Sequence, residues 1–366
     1  MLTDAESKIL FDLIVLFCPI LASAGAVLSR RNKDDIIGKL FIGLSFLLAF
    51  MPLAFRTNGI DEGVYYLWYR DFESLILSNY QFTPEPAFVL LLAICKYWLH
   101  SYQMMKVIAA FVFLWGVYKE MLRSCSDVLI GMLLVFVYLY FYMFGITRMA
   151  IAIGIMSYSY KHLRTREWKK YLAFVMLAVL FHYTAIVGLL TMLAYSAKSK
   201  TAIRTILVIA AVFLAIDFML SVGGNNYPAL ARYSVYVEFN FDINQLKNYI
   251  VLIPAVLFFI CDAKTMNNLC IDYARMRNIA LLIIIIMVFS SCHTGLFRLL
   301  FYFVPIVGFY YSAFNESMKA RGLFGVTILM ALAFIVLGEI YINRYFFDSP
   351  YIAQYLIPFE FGWAAY

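Results

Sequence analysis

The segment YLAFVMLAVLFHYTAIVGLLTMLAYS, residues 171–196, decides how this chain can be arranged in a membrane. It is long enough to cross a bilayer, which takes about 20 apolar residues. Basic clusters flank it on both sides, at Lys170 and at Lys198. Because loops rich in Lys and Arg stay in the cytoplasm, a single crossing would place one cluster on the wrong side. We therefore predict two short helices that meet near His182 as a re-entrant pair, with a single crossing as the alternative.

The rest of the sequence predicts an all-α, polytopic integral membrane protein. Of the 366 residues, 64% are hydrophobic and 14% are charged, against roughly 25% charged in soluble domains. Without the re-entrant pair, about ten apolar stretches are long enough for transmembrane helices. No linker divides the chain, so we predict a single polytopic domain over residues 1–366. The stretches centre on residues 10–28, 38–55, 104–118, 127–145, 147–160, 203–222, 248–262, 277–292, 297–314 and 322–343.

The basic residues indicate which loops share a side. Most of them fall in six connecting segments, around residues 30–39, 119–123, 161–170, 198–204, 264–277 and 319–321. Placing all six in the cytoplasm satisfies the positive-inside rule and accounts for the net charge of +7 without nucleic acid as a partner. Two longer loops, residues 56–103 and 223–247, then lie on the outer face with both termini.

One short apolar segment breaks the pattern of spans. FVLLLAICKYWLH, residues 88–100, carries Lys96 in its middle. We predict that it forms an interfacial helix on the outer face. As a span, it would move the basic loop at Lys119 and Arg123 outside, against the charge rule.

Two arginines lie where apolar helices meet the outer face. Arg148 is in FGITRMAIA, and Arg298 is in SSCHTGLFRLLFYF. A cation at such a depth is costly and therefore indicates a functional site. The alternative is that each side chain reaches the headgroups as an interface anchor.

Acids concentrate in the first outer loop, which begins RTNGIDEGVYYLWYRDF at residue 56. Asp61 and Glu85 are carboxylates that could act as a general base. His182, within the apolar LFHYTAI, is a third candidate. The alternatives are a solvated acidic loop and a hydrogen-bonded structural histidine. No His or Cys spacing typical of zinc ligands occurs, so no metal is predicted.

Aromatic residues make up 18% of the chain, more than contact with lipid requires. The run YYLWYRDF at 65–72 lies beside the acids. Tyr65, Tyr66 and Trp68 are therefore candidate sugar-binding residues, because aromatic rings offer flat apolar faces and hydroxyls. The alternative is an aromatic belt at the interface.

Four short elements, taken in order, resemble the EpsG family of Wzy-like polysaccharide polymerases. That family has an R…G-x-D-x-x-x-Y element, an E-P element, an R-x-x-x-A element and an F-H-x-S-A element. The chain departs from this pattern at Met149, where Gln is commoner, and at Thr184, where Ser is commoner. The matching residues are Arg56, Gly59, Asp61 and Tyr65, then Glu85 and Pro86, then Arg148 and Ala152, then Phe181, His182 and Ala185.

The resemblance implies a membrane glycosyltransferase. Such an enzyme moves a growing glycan from an undecaprenyl-diphosphate carrier to a hydroxyl of the next lipid-linked repeat unit, in the assembly of capsule, exopolysaccharide or O-antigen. It needs a base near the acceptor hydroxyl and positive charge near the departing diphosphate. We expect Asp61 as the base, with Glu85 as its rival and His182 as an orienting group or a base. For the diphosphate we expect Arg148 and Arg298 first, then Arg56 and Arg232.

The resemblance also sets expectations for location and partners. The enzyme would lie in the bacterial inner membrane with its site facing the periplasm or the outside. Its partners would be lipid-linked oligosaccharide and membrane lipid, and the sequence leaves open a chain-length regulator. No cofactor is expected, although the acids leave room for a divalent ion.

Other functions stay open at this stage. The acid and nearby tyrosine in the first outer loop, together with the re-entrant pair, also resemble GT-C glycosyltransferases that use a polyprenyl-phosphate sugar. A transporter of lipid-linked oligosaccharide is a third possibility. Transporters often show repeats between their halves, and no internal repeat is visible here.

Overall fold

The computed structural model describes residues 4–32, 35–57, 59, 61–76, 84–197, 272–292 and 297–342. These residues form helices and connecting loops, as an all-α membrane protein requires. The predicted spans at 203–222 and 248–262 and the outer loop at 223–247 lie outside the described residues, as does Arg232. The helices are α1 Asp4–Arg31, α2 Ile36–Phe55, α3 Glu62–Arg70, α4 Phe72–Ile76, α5 Pro86–Trp98, α6 Gln103–Ser124, α7 Val128–Phe144, α8 Thr147–Arg164, α9 Trp168–Phe181, α10 Val187–Ser196, α11 Tyr273–Cys292, α12 Phe297–Ala320 and α13 Phe324–Ile342.

Within the described residues, four helical stretches are long and apolar enough to cross a membrane by length and composition. They are Glu6–Arg31, Ile36–Phe55, Tyr273–Ser290 and Phe297–Ala320. The chain is thus a multi-pass membrane protein.

Helix α7 lies at the centre of the bundle. Its residues are apolar on every side of the helix, and nearly all of them are buried. A helix that is apolar all round requires neighbours on all sides. The aromatic rings in its second half, FVYLYFYMF, pack against one another. The Tyr140 and Phe144 ring centroids, for example, are 5.4 Å apart in an edge-to-face contact. Much of the aromatic surplus therefore fills the core.

Helices α6 and α8 approach so closely that their backbones touch. A Cβ at Gly116 would collide with the Gly154 carbonyl oxygen, and a Cβ at Gly154 would collide with the Val112 carbonyl oxygen. Small residues allow this approach between helices in membranes. The contact fixes the start of α8, which carries Arg148, relative to the start of α6.

Five of the six predicted basic segments lie at one end of the bundle, and the sixth, residues 198–204, lies outside the described residues. Arg164 on α8 forms an ion pair with Glu120 on α6, with Nη1–Oε1 at 2.5 Å. Arg30 at the end of α1 donates to the Ser126 carbonyl at 2.6 Å. Arg166 lies 2.7 Å from Asp272, before α11. Lys319 near the end of α12 lies 2.8 Å from Asp127, before α7. These four contacts define what we call the basic end.

The segment at 171–196 forms the predicted pair of short helices. The Trp168 and Tyr195 rings are 6.3 Å apart, so both ends of the pair lie together on the side of Arg166 and the basic end. Tyr171 donates to the Gly188 carbonyl at 3.0 Å between the helices. The helix breaks at His182, whose backbone is extended at φ −157° and ψ 117°. The tip of this hairpin therefore points away from the basic end.

Helix α5 covers the segment predicted as interfacial. Its Lys96 lies at the surface and contacts Glu73 at 3.0 Å, and the Trp98 side chain is 80% exposed. The helix is shorter than the four candidate spans of the described residues, and its interfacial position on the outer face stays a prediction.

Candidate active site

The candidate site lies at the end of the bundle opposite the basic end, where several helices begin or stop. Asp61 precedes α3, Glu85 precedes α5, and Arg148 is in the first turn of α8. His182 is at the tip of the α9–α10 hairpin. The positive end of a helix dipole favours an acid, as at Asp61 and Glu85. Helix α8, with 18 residues, is about 27 Å long, so Arg148 lies nearly a bilayer's depth from the basic end.

Glu85 joins three of these elements. Its Oε2 accepts a hydrogen bond from Arg148 Nη1 at 2.6 Å, and its Oε1 lies 2.8 Å from His182 Nδ1. The Tyr183 backbone N–H also donates to Oε1 at 3.2 Å. Glu85 is 3% exposed. Burial alone would raise its pKa, but the hydrogen bond from His182 and the charge of Arg148 hold the pKa at about 2. Glu85 is therefore ionised, and both of its oxygens have partners.

The contact with Glu85 also orients His182. An ionised carboxylate only accepts hydrogen bonds, so Nδ1 carries the proton in this pair. The other ring nitrogen, Nε2, is left for a ligand or a proton. The His182 side chain is 17% exposed, which leaves one part of the ring accessible.

The Arg148 guanidinium lies over the aromatic rings of Tyr65 and Trp68. Its guanidinium carbon lies 5.2 Å from the Trp68 ring centroid and 5.8 Å from that of Tyr65. Both rings are buried, with exposures of 6% and 2%. Cation–π contact favours this arrangement. Of the three rings predicted to bind sugar, only Tyr66 keeps part of its surface open, and it packs against Tyr102 with centroids 5.5 Å apart.

Asp61 has a different environment from Glu85. It is half-buried, and among the described residues its side chain accepts a hydrogen bond from the Tyr65 hydroxyl at 3.3 Å. Burial raises the pKa of Asp61 above its usual value, and the charge of Arg298, the Tyr65 hydrogen bond and the charge of Arg148 partly oppose this rise. Asp61 is therefore close enough to both arginines to be influenced by their charges. A carboxylate with a raised pKa and fewer hydrogen bonds to its oxygens suits proton transfer better than Glu85 does.

Arg298 lies in the first turn of α12 with an exposed side chain. Arg148 is partly exposed, at 24%. Both arginine side chains therefore keep exposed surface while Asp61 lies within range of their charges. The structure brings together Asp61, Glu85, Arg148, His182 and Arg298 from five separate parts of the sequence.

Arg56 lies beneath this group and is 2% exposed. Its guanidinium donates to the Leu53 carbonyl and, at 3.0 Å, to the Thr147 hydroxyl. Gly59 packs against it, because a Cβ there would lie 3.5 Å from Arg56 Nε and 2.7 Å from the Phe144 carbonyl oxygen. With no exposed guanidinium face, Arg56 is placed to support the start of α8 and not to contact a diphosphate directly.

A buried ion pair beside Arg56 was missed by the sequence analysis. Lys106 Nζ on α6 lies 2.8 Å from Glu62 Oε1, and it also donates to the Arg56 carbonyl at 2.8 Å. Lys106 is fully buried and Glu62 is 8% exposed. In the sequence, this pair is indicated by Lys106, a lysine near the start of an apolar stretch, and by Glu62, an acid directly after Asp61. The pair anchors the turn that carries Asp61.

Breaking this pair should destabilise the protein strongly. Lys106→Met leaves the Glu62 carboxylate buried without its cation, and such a change costs about 3–5 kcal/mol. The double variant Lys106→Met/Glu62→Leu should be more stable than Lys106→Met alone, because no charge is then left unpaired. Thermal unfolding of the detergent-solubilised protein measures both effects.

A matched control is Lys96→Met, which removes a lysine from the exposed pair with Glu73. That variant should change the unfolding temperature much less, because water solvates the remaining carboxylate. Equal losses for Lys96→Met and Lys106→Met would contradict the burial argument.

The described residues contain no group of three or more His, Cys, Asp or Glu side chains placed to hold a metal ion. The cationic side chains that meet at the site are instead Arg148 and Arg298, which are suited to an anionic ligand. The predicted contribution of Arg232 lies outside the described part of the chain.

Comparison with known proteins gives one family. No curated protein and no solved structure matches the chain. The sequence pattern of the EpsG family matches residues 39–361, which is most of the chain and includes every residue of the candidate site. On this match, the chain belongs to the EpsG family, a family of Wzy-like polysaccharide polymerases.

Proposed function

We propose that this protein is a polysaccharide polymerase that transfers a glycan chain from undecaprenyl diphosphate to a hydroxyl of a lipid-linked repeat unit. The observation that carries the proposal is the placement of Asp61 within range of two accessible arginines, Arg148 and Arg298. The acceptor hydroxyl needs a base, and the diphosphate leaving group needs positive charge nearby. A carboxylate beside two cations suits both needs.

Asp61 is the group we assign as the base. The carboxylate takes the proton of the acceptor hydroxyl while the hydroxyl oxygen forms the new bond to the anomeric carbon. The bond from that carbon to the diphosphate oxygen breaks, and its electron pair leaves with the diphosphate. Glu85 is a weaker candidate because its pKa of about 2 makes it a poor proton acceptor near neutral pH.

Arg148 and Arg298 are the groups we assign to the diphosphate. Arginine stays charged and offers paired donors that match phosphate oxygens. Arg148 is also in the first turn of α8, where free backbone N–H groups and the helix dipole favour an anion. Glu85 holds one edge of the Arg148 guanidinium, so it fixes the direction of the remaining donors. His182 Nε2 is available to a phosphate or to the acceptor hydroxyl.

The charge distribution supports an orientation in the membrane. With the basic end in the cytoplasm, as the positive-inside rule favours, the candidate site faces the periplasm or the outside of a bacterial inner membrane. The undecaprenyl tail then stays in the bilayer while the diphosphate reaches Arg148. The two arginines supply the positive charge in this mechanism, so it includes no metal or other cofactor.

A GT-C-type glycosyltransferase that uses a polyprenyl-phosphate sugar is the second candidate. The observation that favours it is the hairpin of short helices α9 and α10, whose tip holds His182 at the site. Both candidates predict transfer from a polyprenyl carrier. They differ in the donor and in whether the product is a polymer.

The product of the purified protein decides between these functions. The protein in lipid would be incubated with undecaprenyl-diphosphate-linked repeat units from its own gene cluster, with and without EDTA, and the products separated by size. The expected result is a ladder that EDTA does not remove. A single added sugar from a polyprenyl-phosphate donor, without a ladder, would favour the second candidate. No product from any lipid-linked donor would overturn both and favour a transporter.

A further inference from the structure

We propose that a hydrogen bond between the Thr184 and Tyr302 hydroxyl groups positions Arg298 relative to Arg148, so that both arginines can hold one diphosphate. This inference rests on the proposed function and adds two positioning residues to it. The oxygens of the two hydroxyls are 3.0 Å apart.

Thr184 is on the hairpin tip, two residues after His182. The tip is attached to Glu85 through His182 Nδ1 at 2.8 Å and through the Tyr183 N–H at 3.2 Å. Glu85 in turn holds Arg148 at 2.6 Å. A continuous series of hydrogen bonds therefore connects Arg148 to the hairpin tip.

Tyr302 continues this series to the helix of Arg298. It is fully buried in α12, four residues after Arg298. Residues four apart on a helix are about one turn from each other along its axis. Because α12 runs toward Lys319 at the basic end, Arg298 lies about one turn closer to the candidate site than Tyr302 does.

The backbone of Tyr302 is fixed from a second direction. The Tyr160 hydroxyl on α8 donates to the Tyr302 carbonyl at 2.5 Å. Helix α8 is also the helix that begins with Thr147 and Arg148. Tyr302 is thus held by α8 at its carbonyl and by the hairpin at its hydroxyl, which leaves little freedom for the turn that carries Arg298.

Two arginines on different helices bind one diphosphate well only if their spacing is set beforehand. Within the described residues, the hydroxyl pair is a polar contact between the hairpin tip and α12 at the level of the site. Its loss would let α12 and the tip separate, and a displacement of about 1 Å can cost on the order of 100-fold in rate. Thr184 and Tyr302 act by positioning Arg298 and do not contact the reacting atoms.

The test compares variants that remove or keep the hydroxyl pair. Thr184→Val and Tyr302→Phe should each lower kcat/KM for ladder formation by about tenfold or more in proteoliposomes supplied with undecaprenyl-diphosphate-linked repeat units. Thr184→Ser keeps a hydroxyl and should restore most of the loss. Thr191→Val is the matched control, because it removes a buried hydroxyl of the same hairpin that donates to the Val187 carbonyl at 3.0 Å and lies beside Tyr171, not beside Tyr302.

Two readouts separate positioning from a general loss of structure. Arg298→Ala should cost much less in the Thr184→Val background than in the wild type, because Arg298 is already displaced there. The acid limb of the pH–rate profile should also move to higher pH in Tyr302→Phe, because the charge of Arg298 opposes the rise in the pKa of Asp61.

The outcomes distinguish this inference from the proposed function. If the wild type makes no ladder, the proposed function fails. If the wild type makes a ladder but Thr184→Val and Tyr302→Phe behave like Thr191→Val, the positioning role is wrong. Additive losses for Thr184→Val and Arg298→Ala would also overturn it. Unfolding temperatures identify any variant that fails to fold, and Thr184→Ser then carries the comparison.

Discussion

Asp61→Asn is expected to lower the rate of glycan transfer by about 10²–10⁴-fold, the usual contribution of a general base. The amide is nearly the same size as the carboxylate, so the turn before α3 should keep its shape. It cannot take a proton from the acceptor hydroxyl. Binding of the lipid-linked donor should persist, because Arg148 and Arg298 are unchanged. Initial rates of ladder formation measure the loss, and binding of fluorescent lipid-linked repeat units measures the affinity.

The pH dependence gives a second measurement of the same role. The active form of Asp61 is the carboxylate, so activity should fall as the pH drops through its pKa, which burial raises above its usual value. Glu85 cannot produce this limb, because its pKa is held at about 2. The residual activity of Asp61→Asn should therefore lack the acid limb.

Asp71→Asn is the matched control for this variant. Asp71 also lies in the first outer loop, but it pairs with Arg70 at 2.8 Å at the surface. Its substitution should leave both the rate and the acid limb near their wild-type values. An acid limb that survives in Asp61→Asn would show that another group is the base, and His182 would be examined next.

The hairpin could be predicted from the sequence because it follows from a pattern along the chain, whereas the sidedness in the membrane stays a prediction. Lys170 and Lys198 flank one apolar segment, and the charge rule permits both on the same side only if the segment turns back. The structure agrees, since Trp168 and Tyr195 lie together. Glu85, Arg148 and His182 stood out because a charged or polar group within or beside an apolar helix is costly without a role or a partner.

The division of roles within the site could not be predicted in this way. Asp61 and Glu85 are both acids in one loop, and only their three-dimensional partners distinguish them. Within the part of the chain that the structure describes, the Glu85 carboxylate has three hydrogen-bond contacts, whereas that of Asp61 has one. Trp68 likewise belongs to an aromatic run that suggested a sugar surface. Its burial beneath Arg148 depends on how α3 and α8 pack, which periodicity in one segment does not indicate.

Arg56 and Lys106 show the same limit. Both are basic residues near the outer ends of apolar segments, as Arg148 is. Arg56 is buried against Thr147, and Lys106 is buried against Glu62. A sequence marks such residues as costly, but it does not reveal whether the partner is a protein carboxylate, a backbone carbonyl or a ligand. Thr184 departs from the serine of the family motif, yet it keeps the hydroxyl that contacts Tyr302.

Arg148→Ala is expected to lower ladder formation by about 10²–10³-fold, comparable to the loss of one preorganised donor that stabilises a developing negative charge. The substitution removes the cation nearest to Glu85 and leaves that carboxylate with His182 and the Tyr183 N–H as its partners. The site then keeps Arg298 as its cation, while the charge of Glu85 opposes the approach of the diphosphate. Both kcat and the affinity for the donor should therefore fall.

Arg148→Lys separates charge from geometry. Lysine keeps the positive charge but lacks the planar fork that can contact Glu85 with one N–H and a phosphate with others. It should recover part of the lost affinity and little of the lost kcat. Arg148→Ala/Glu85→Gln tests the repulsion directly. Removing the carboxylate charge should restore some donor binding relative to Arg148→Ala, while ladder formation stays low.

Arg70→Ala is the control for both Arg148 variants, because Arg70 is an arginine of the same outer loop that is 56% exposed and pairs with Asp71. Its loss should leave the ladder unchanged. If Arg148→Ala also polymerised at the wild-type rate, the diphosphate would have to be held by Arg298 without Arg148. The cluster of Glu85, His182 and Arg148 would then be a structural clamp on the hairpin tip. The ladder assay, combined with the unfolding temperature of each variant, distinguishes a clamp from a diphosphate site.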